Sequence, residues 1–278
     1  MTAVHDNHNH LVANGDAIAM VRAAEAAGLA GFAFTEHVFH LNEARAASRY
    51  LGTRWDGELE GPPIGVERYL SEIAAAAAEV PSVAVTVGLE LEHWPDDPRV
   101  GEAQETFMAA HADTWDLVLG SVHWLGGLAI DHPDYAIWDE MAADEVWRRY
   151  FAQVRAAAAS GLFDVLAHLD LAKVFGHSAS QSVIDSEHEQ TADAIAAAGI
   201  AVEISTAGLR KAAGELYPAQ DLLRALHRRG VPITLGSDGH VPEDLGRDYP
   251  RALEAAHACG YRTVSMFSGR ERREAPLG

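Results

Sequence analysis

Gly31-Phe32-Ala33-Phe34-Thr35, followed by Glu36 and His37, is a short apolar run that ends at an imidazole. The same arrangement recurs along the chain. Residues 83–89 (VAVTVGL) lead into Glu90, 116–122 (DLVLGSV) into His123, 162–167 (LFDVLA) into His168, and 231–236 (VPITLG) into Asp238 and His240. Two further runs, 200–205 (IAVEIS) and 262–267 (RTVSMF), share the β-branched or apolar character of a buried strand. Between these runs lie alanine-rich, helix-favouring segments at 17–27, 66–80, 100–112, 140–159, 187–198, 219–229 and 250–259. Strand and helix alternate without a long polar linker, which predicts an α/β fold with a parallel sheet, closed into a barrel or doubly wound.

The chain opens with His5-Asp6-Asn7-His8-Asn9-His10. In extended backbone alternate side chains share a face, so His8 and His10 project together and can grip one metal ion. Those two histidines, with His37, Glu90, His123, His168, Asp238 and His240, fall at or just past the carboxyl ends of predicted strands. Catalytic side chains converge at that edge of α/β barrels, whatever their separation in sequence. Histidines scattered through a core would show no such phase. His93, His111, His188, His227 and His257 fall in loops or helices, where solvated or capping roles are expected. His5, His40, His132 and His177 lie near strand ends and stay open.

Imidazole and carboxylate donors suit Zn, Mn or Fe. Six histidines and two acids exceed the needs of one four- or five-coordinate ion, so at least two divalent ions are expected, two or three in all. Glu90 is the choice for a bridging carboxylate, with Glu92 as an in-register substitute. Asp16 either caps the helix beginning near residue 17 or ligates a further ion; local pattern favours the cap. Arg210, after the 200–205 run, suits the oxygens of a phosphate, and Lys173 could add charge beside it.

Bulk composition narrows the classes. The 278 residues carry a formal charge of −20, with 48% hydrophobic and 22% charged residues. That is enough apolar content for a full core. The acidic balance argues against nucleic-acid binding. One cysteine, Cys259, rules out a thiolate-rich zinc site. With no charged-then-apolar leader and no run of membrane-spanning length, the expectation is a soluble cytoplasmic protein without a membrane partner. One domain spanning 1–278 is expected, as a monomer or small homo-oligomer.

Together these motifs resemble the polymerase and histidinol phosphatase (PHP) superfamily, and within it the histidinol-phosphate phosphatase branch. The resemblance covers most of the chain: HNH at 8–10, FTEH at 34–37, GLELE at 88–92, LGSVH ending at His123, FDVLAHLD at 163–170, ISTAGLR ending at Arg210, LYP at 216–218 and GSDGH at 236–240. It implies a distorted (β/α)7 TIM-like barrel with a trinuclear metal cluster at the C-terminal ends of the strands. One ion would take His8, His10, Glu90 and Asp238, a second Glu90, His123 and His168, and a third Asp16, His37 and His240. It also raises Asp16 from cap to ligand and puts Arg210 on the substrate phosphate. The chain departs from the family at Lys173, where an arginine is usual, and at Ser205 and Ala207, where asparagine and serine are favoured.

The expected reaction is hydrolysis of a small phosphate monoester, most concretely L-histidinol phosphate, with Glu90, Asp238 and His240 as the catalytic set. A loop insertion at about 38–65, with Tyr50 and Trp55, and the segment 124–138 are expected to overhang the site, where Asp131 could meet an amine. The alternatives are a PHP-type phosphatase of another small phosphorylated metabolite, a metal-dependent amidohydrolase, a polymerase-type exonuclease and a metal-binding module without turnover. The amidohydrolase is disfavoured because no lysine ends a strand, and the exonuclease by the charge of −20.

Overall fold

The computed structural model describes residues 4–11, 15–47, 63–94, 97–132 and 137–277. They group into two compact units, Met1–Leu119 with Leu235–Arg247 and Met266–Arg273, and Gly120–Thr234 with Asp248–Ser265 and Glu274–Gly278.

The first unit holds β1 (His5–Asp6), α1 (Ala17–Ala26), β2 (Gly31–His37), α2 (Val66–Glu79), β3 (Ala84–Glu92), α3 (Pro98–Ala110) and the start of β4 (Leu117–Ser121). Its strands lie in the order β1-β2-β3-β4. β1 and β2 pair in parallel, as do β2 and β3, whose register sets His37 opposite Glu90. Phe32, Phe34, Leu89 and Leu91 are fully buried. α2 buries Val66, Tyr69, Ile73 and Ala76, a stripe at helical spacing. The Tyr69 hydroxyl accepts from the Glu36 amide at 3.3 Å and donates to the Gly88 carbonyl at 3.2 Å. Gly88 permits a close approach of its neighbours, since a Cβ there would lie 2.7 Å from Thr35 Cγ2 and 2.9 Å from the Leu117 oxygen.

The second unit contains the end of β4, the short hairpin β5 (Trp124–Leu125) and β6 (Leu128–Ala129), α4 (Ala143–Ala159), β7 (Val165–Leu166), α5 (Gln181–Ala198), β8 (Ala201–Ser205), α6 (Gln220–Arg228), the start of β9 (Ile233–Gly236) and α7 (Tyr249–Cys259). Here the strand order is β4-β7-β8-β9. α4 and α5 pack side by side, tied by Arg155 donating to Glu187 at 2.6 Å and to Thr191 at 3.2 Å. α5 begins six residues before the segment read from sequence. Asp144 accepts from the Ser180 amide at 2.6 Å and from its hydroxyl at 2.8 Å, fixing the start of the helix.

The run at 262–267 is a strand, but not one of the parallel set. As β10 (Thr263–Ser268) it pairs only with β11 (Glu271–Pro276), around Gly269 and Arg270, both at positive φ. Such a two-residue turn feeds a hairpin rather than a crossover helix. The parallel set begins instead with the two-residue β1, the weak strand that His8 and His10 follow.

β1 is held by a buried carboxylate. Asp6 accepts from the Ser237 amide at 2.9 Å, the Ser237 hydroxyl at 2.6 Å and the Gly246 amide at 3.1 Å. Asn9 completes the network: its side chain accepts from Ser237 and donates to the carbonyls of Asp6 and Ala33. Both residues are 0% exposed. Asp6→Ala would leave buried donors on Ser237 and Gly246 without an acceptor, at an expected cost of about 3 kcal/mol. A lower urea midpoint with an unchanged denaturant slope checks it.

Candidate metal centre

Within the first unit, six of the residues singled out in sequence come together from four stretches of chain. His8 and His10 follow β1, His37 ends β2, Glu90 lies near the end of β3, and Asp238 and His240 follow β9. The backbone supplies the alignment. The His10 amide donates to the Gly239 carbonyl at 2.9 Å and the Gly239 amide to the His8 carbonyl at 3.3 Å. Gly239 allows this approach, because a Cβ there would lie 2.7 Å from Asn9 Oδ1. Asp238 is held at a φ of 51°, a left-handed conformation that costs a non-glycine residue about 1–3 kcal/mol and concentrates at functional sites.

The side-chain donors converge. His8 Nε2 is 3.4 Å from Glu90 Oε2 and 3.6 Å from Asp238 Oδ1. His10 Nε2 is 3.6 Å from the same Glu90 oxygen and 3.2 Å from the same Asp238 oxygen. Most of these distances exceed a good hydrogen bond. They match instead the edge of a tetrahedron around a zinc-sized ion, about 3.4 Å for bonds of about 2.0–2.2 Å. The donor set fits a divalent metal. A second grouping, His10, His37 and His240, adjoins the first. Its rings stack, with centroids 4.1 Å apart for His10 and His37 and 4.2 Å for His10 and His240. His37 Nδ1 lies 2.6 Å from Glu90 Oε2.

Exposure grades across the cluster. The side chains of His8, His10 and Glu90 are 1% exposed, His37 15%, Asp238 20% and His240 32%, so the cluster opens to solvent on the Asp238–His240 side. Burial alone would favour a neutral His10, but its contact with Asp238 and the nearby charges of Glu36 and Glu90 outweigh it and raise its pKa to about 9. Burial dominates at His37 and lowers its pKa to about 3, with cationic His10 opposing a second charge beside it. Burial would raise the Asp238 carboxyl; the imidazoles of His8, His10 and His240 overcome that and hold it well below the ordinary range. The cluster thus concentrates carboxylate charge, held ionised by the imidazoles beside it.

Asp16 is exposed and belongs to neither grouping among the described residues. Its Oδ1 accepts from the Ala19 amide at 2.9 Å, capping α1 as the local pattern suggested. His40 is buried, with Nδ1 2.8 Å from Glu36 Oε1. Glu92, the last residue of β3, is also buried.

In the second unit His123 and His168 are buried, their rings 4.9 Å apart. The His168 amide donates to Glu203 Oε2 at 2.7 Å, in a residue held at a φ of 25°. Arg210 ends the turn after β8. Lys173, read from sequence as a charge beside the phosphate, is ion-paired here. Its ammonium is 2.9 Å from Asp170 Oδ2, and it donates to the Leu216 carbonyl at 2.8 Å and Glu215 Oε2 at 3.2 Å. Three acceptors account for its three N–H groups, so Lys173 braces the loop after β8. His177 stacks on Trp138, 4.5 Å away. Tyr50, Trp55 and most of the insertion lie outside the described residues.

Two residues of this machinery escaped the sequence reading, Glu36 and Glu203, both 0% exposed. A signal was there: each is an acid inside an otherwise apolar strand, FAFTEH and IAVEIS. An unscreened carboxylate in a buried strand needs a dedicated partner.

Residues 3–207 match the PHP domain family. The chain belongs to that family. A probable histidinol-phosphatase of Deinococcus radiodurans is 36% identical over 282 residues, covering 99% of this chain and 100% of the relative. The histidinol-phosphatase of Bacillus subtilis is 25% identical, covering 68% of this chain and 76% of its own length. Among solved structures, the histidinol phosphate phosphatase of Lactococcus lactis, crystallised with zinc, L-histidinol and phosphate, superposes with a TM-score of 0.77 at 22% identity, covering 98% of this chain and 99% of that one. That likeness shows the fold of this PHP protein, a distorted α/β barrel of the TIM type.

The cap on α1 has its own test. Asp16→Ala should cost about 1 kcal/mol and Asp16→Asn almost nothing, because asparagine caps as well as aspartate. Urea melts of the two variants compare them directly.

Proposed function

We propose that this protein is a metal-dependent phosphomonoesterase that converts L-histidinol phosphate to L-histidinol and phosphate. The observation that carries it is the convergence of His8, His10, Glu90 and Asp238 at 3.2–3.6 Å, in a chain 36% identical over its length to a probable histidinol-phosphatase. The zinc, histidinol and phosphate in the Lactococcus lactis enzyme support the same substrate and cofactor class.

His8, His10, Glu90 and Asp238 would hold one divalent ion. The family resemblance assigns His123 and His168, with Glu90, to a second, and His37 and His240, with Asp16, to a third. Zinc is the first metal to try, with Mn and Fe also compatible with the donors. When bound, such ions supply positive charge against a phosphate and acidify water toward neutrality. The chain's own residues do the rest. Arg210 offers a planar guanidinium that can fork onto two phosphate oxygens. Asp238, held ionised by the imidazoles around it, serves as a ligand rather than as an acid. His240, the most exposed of the set, stands on the side where the leaving alkoxide departs. Among the described residues no helix is long and apolar enough to cross a membrane.

Three measurements test this reading. With zinc or manganese present, kcat/KM for histidinol phosphate should exceed that for p-nitrophenyl phosphate by at least about 100-fold. Equal values would point to another small phosphate ester. Glu90→Gln should lose both bound metal, read by elemental analysis, and phosphate release. Arg210→Ala should keep its metal and raise KM roughly 10- to 100-fold, the loss of a charge-assisted hydrogen-bonding pair.

A further inference from the structure

The buried carboxylate of Glu36 has no part in the ligand set described above, yet it is built into the back of the metal centre. It lies on β2 at 0% exposure. Its Oε1 is 2.8 Å from His40 Nδ1, 2.9 Å from the His37 amide and 3.6 Å from His10 Nδ1. Its Oε2 accepts from the Leu11 amide at 2.8 Å, just beyond the HNH stretch. His10 is therefore flanked by carboxylates on both ring nitrogens, Glu36 behind Nδ1 and Asp238 with Glu90 before Nε2.

We infer that Glu36 is a positioning residue of the metal centre: it seats the proton of His10 on Nδ1 and turns the Nε2 lone pair toward the ion, with His40 holding Glu36 in place. The inference rests on the metal-centre reading given above. An imidazole has one proton to place when neutral, and the partner of the non-ligating nitrogen decides where it sits. A metal between His10, Glu90 and Asp238 requires a lone pair on Nε2, so the proton needs an acceptor at Nδ1. That buried atom makes no hydrogen bond among the described residues, and Glu36 Oε1, 3.6 Å away, is the carboxylate oxygen placed to close on it. A merely structural role, receiving the amides of Leu11 and His37, could be filled by a neutral glutamine oxygen. A glutamine would not match the charge that two imidazole donors meet at one oxygen. His40 is 2% exposed, and its Nε2 has no hydrogen-bond partner among the described residues, so its contact with Glu36 is the polar interaction that fixes its ring.

The test is zinc affinity, measured on purified full-length protein stripped of metal and titrated with zinc against a chromophoric chelator. Glu36→Gln should weaken zinc binding about 10- to 100-fold while the circular dichroism of the metal-free protein stays that of the wild type. His10→Ala, run alongside, should lose the same ion outright. A folded Glu36→Gln that binds zinc as tightly as the wild type, beside a His10→Ala that does not, would overturn the positioning role and leave the metal centre standing. Wild-type affinity in His10→Ala would overturn both. If Glu36→Gln fails to fold, nitrogen-15 NMR of the histidine rings in the zinc-loaded wild type decides instead. A proton on His10 Nδ1 with zinc-shifted Nε2 upholds the inference, and zinc on Nδ1 ends it.

Discussion

The hydrogen bonds from Ser237 and Gly246 to the buried carboxylate of Asp6 are the constraint on which the first unit depends. They join positions 231 and 240 residues apart in the chain. β1 has only two residues and little apolar surface, so ladder pairing alone would hold it weakly. A desolvated carboxylate that receives two amides and a hydroxyl is a far stronger tie, because breaking it strands several buried polar groups at once. Asn9 extends the tie to β2. With Asn9 committed to this network, His8 and His10 turn toward Glu90 and Asp238.

The same logic recurs one layer further in. Buried carboxylates at Glu36 and Glu203 sit behind histidine-bearing segments, each receiving a backbone amide of the histidine or its neighbour. A buried negative charge is costly unless satisfied, and here it is satisfied by the parts whose position matters. Lys173 shows the opposite commitment. Its charge is absorbed by Asp170 and Glu215, so a residue that could have met a phosphate instead steadies the loop ahead of Tyr217.

Much of this was legible in the chain. The α/β class followed from the alternation of apolar runs with alanine-rich segments, and the ligand candidates from their phase, each closing a run. Helix starts were less legible where the signal was a distant partner, as at Ser180, whose hydrogen-bonding carboxylate sits 36 residues away on Asp144. The run at 262–267 looked like a member of the parallel set because propensity does not record a pairing partner. Only the turn at Gly269-Arg270 reveals a hairpin.

Sequence by itself determined the kind of chemistry: which side chains carry imidazole or carboxylate, and that strands end in them. That information is local, since a side chain's donor atoms and a strand's period do not depend on the rest of the chain. Tertiary structure supplied the partners. It gave Asp16 the Ala19 amide at a helix start and Lys173 two carboxylates and a carbonyl, and it set Glu36 behind His10. Those roles depend on distances between residues tens or hundreds of positions apart, which are fixed only when burial forces each polar group to find its partner.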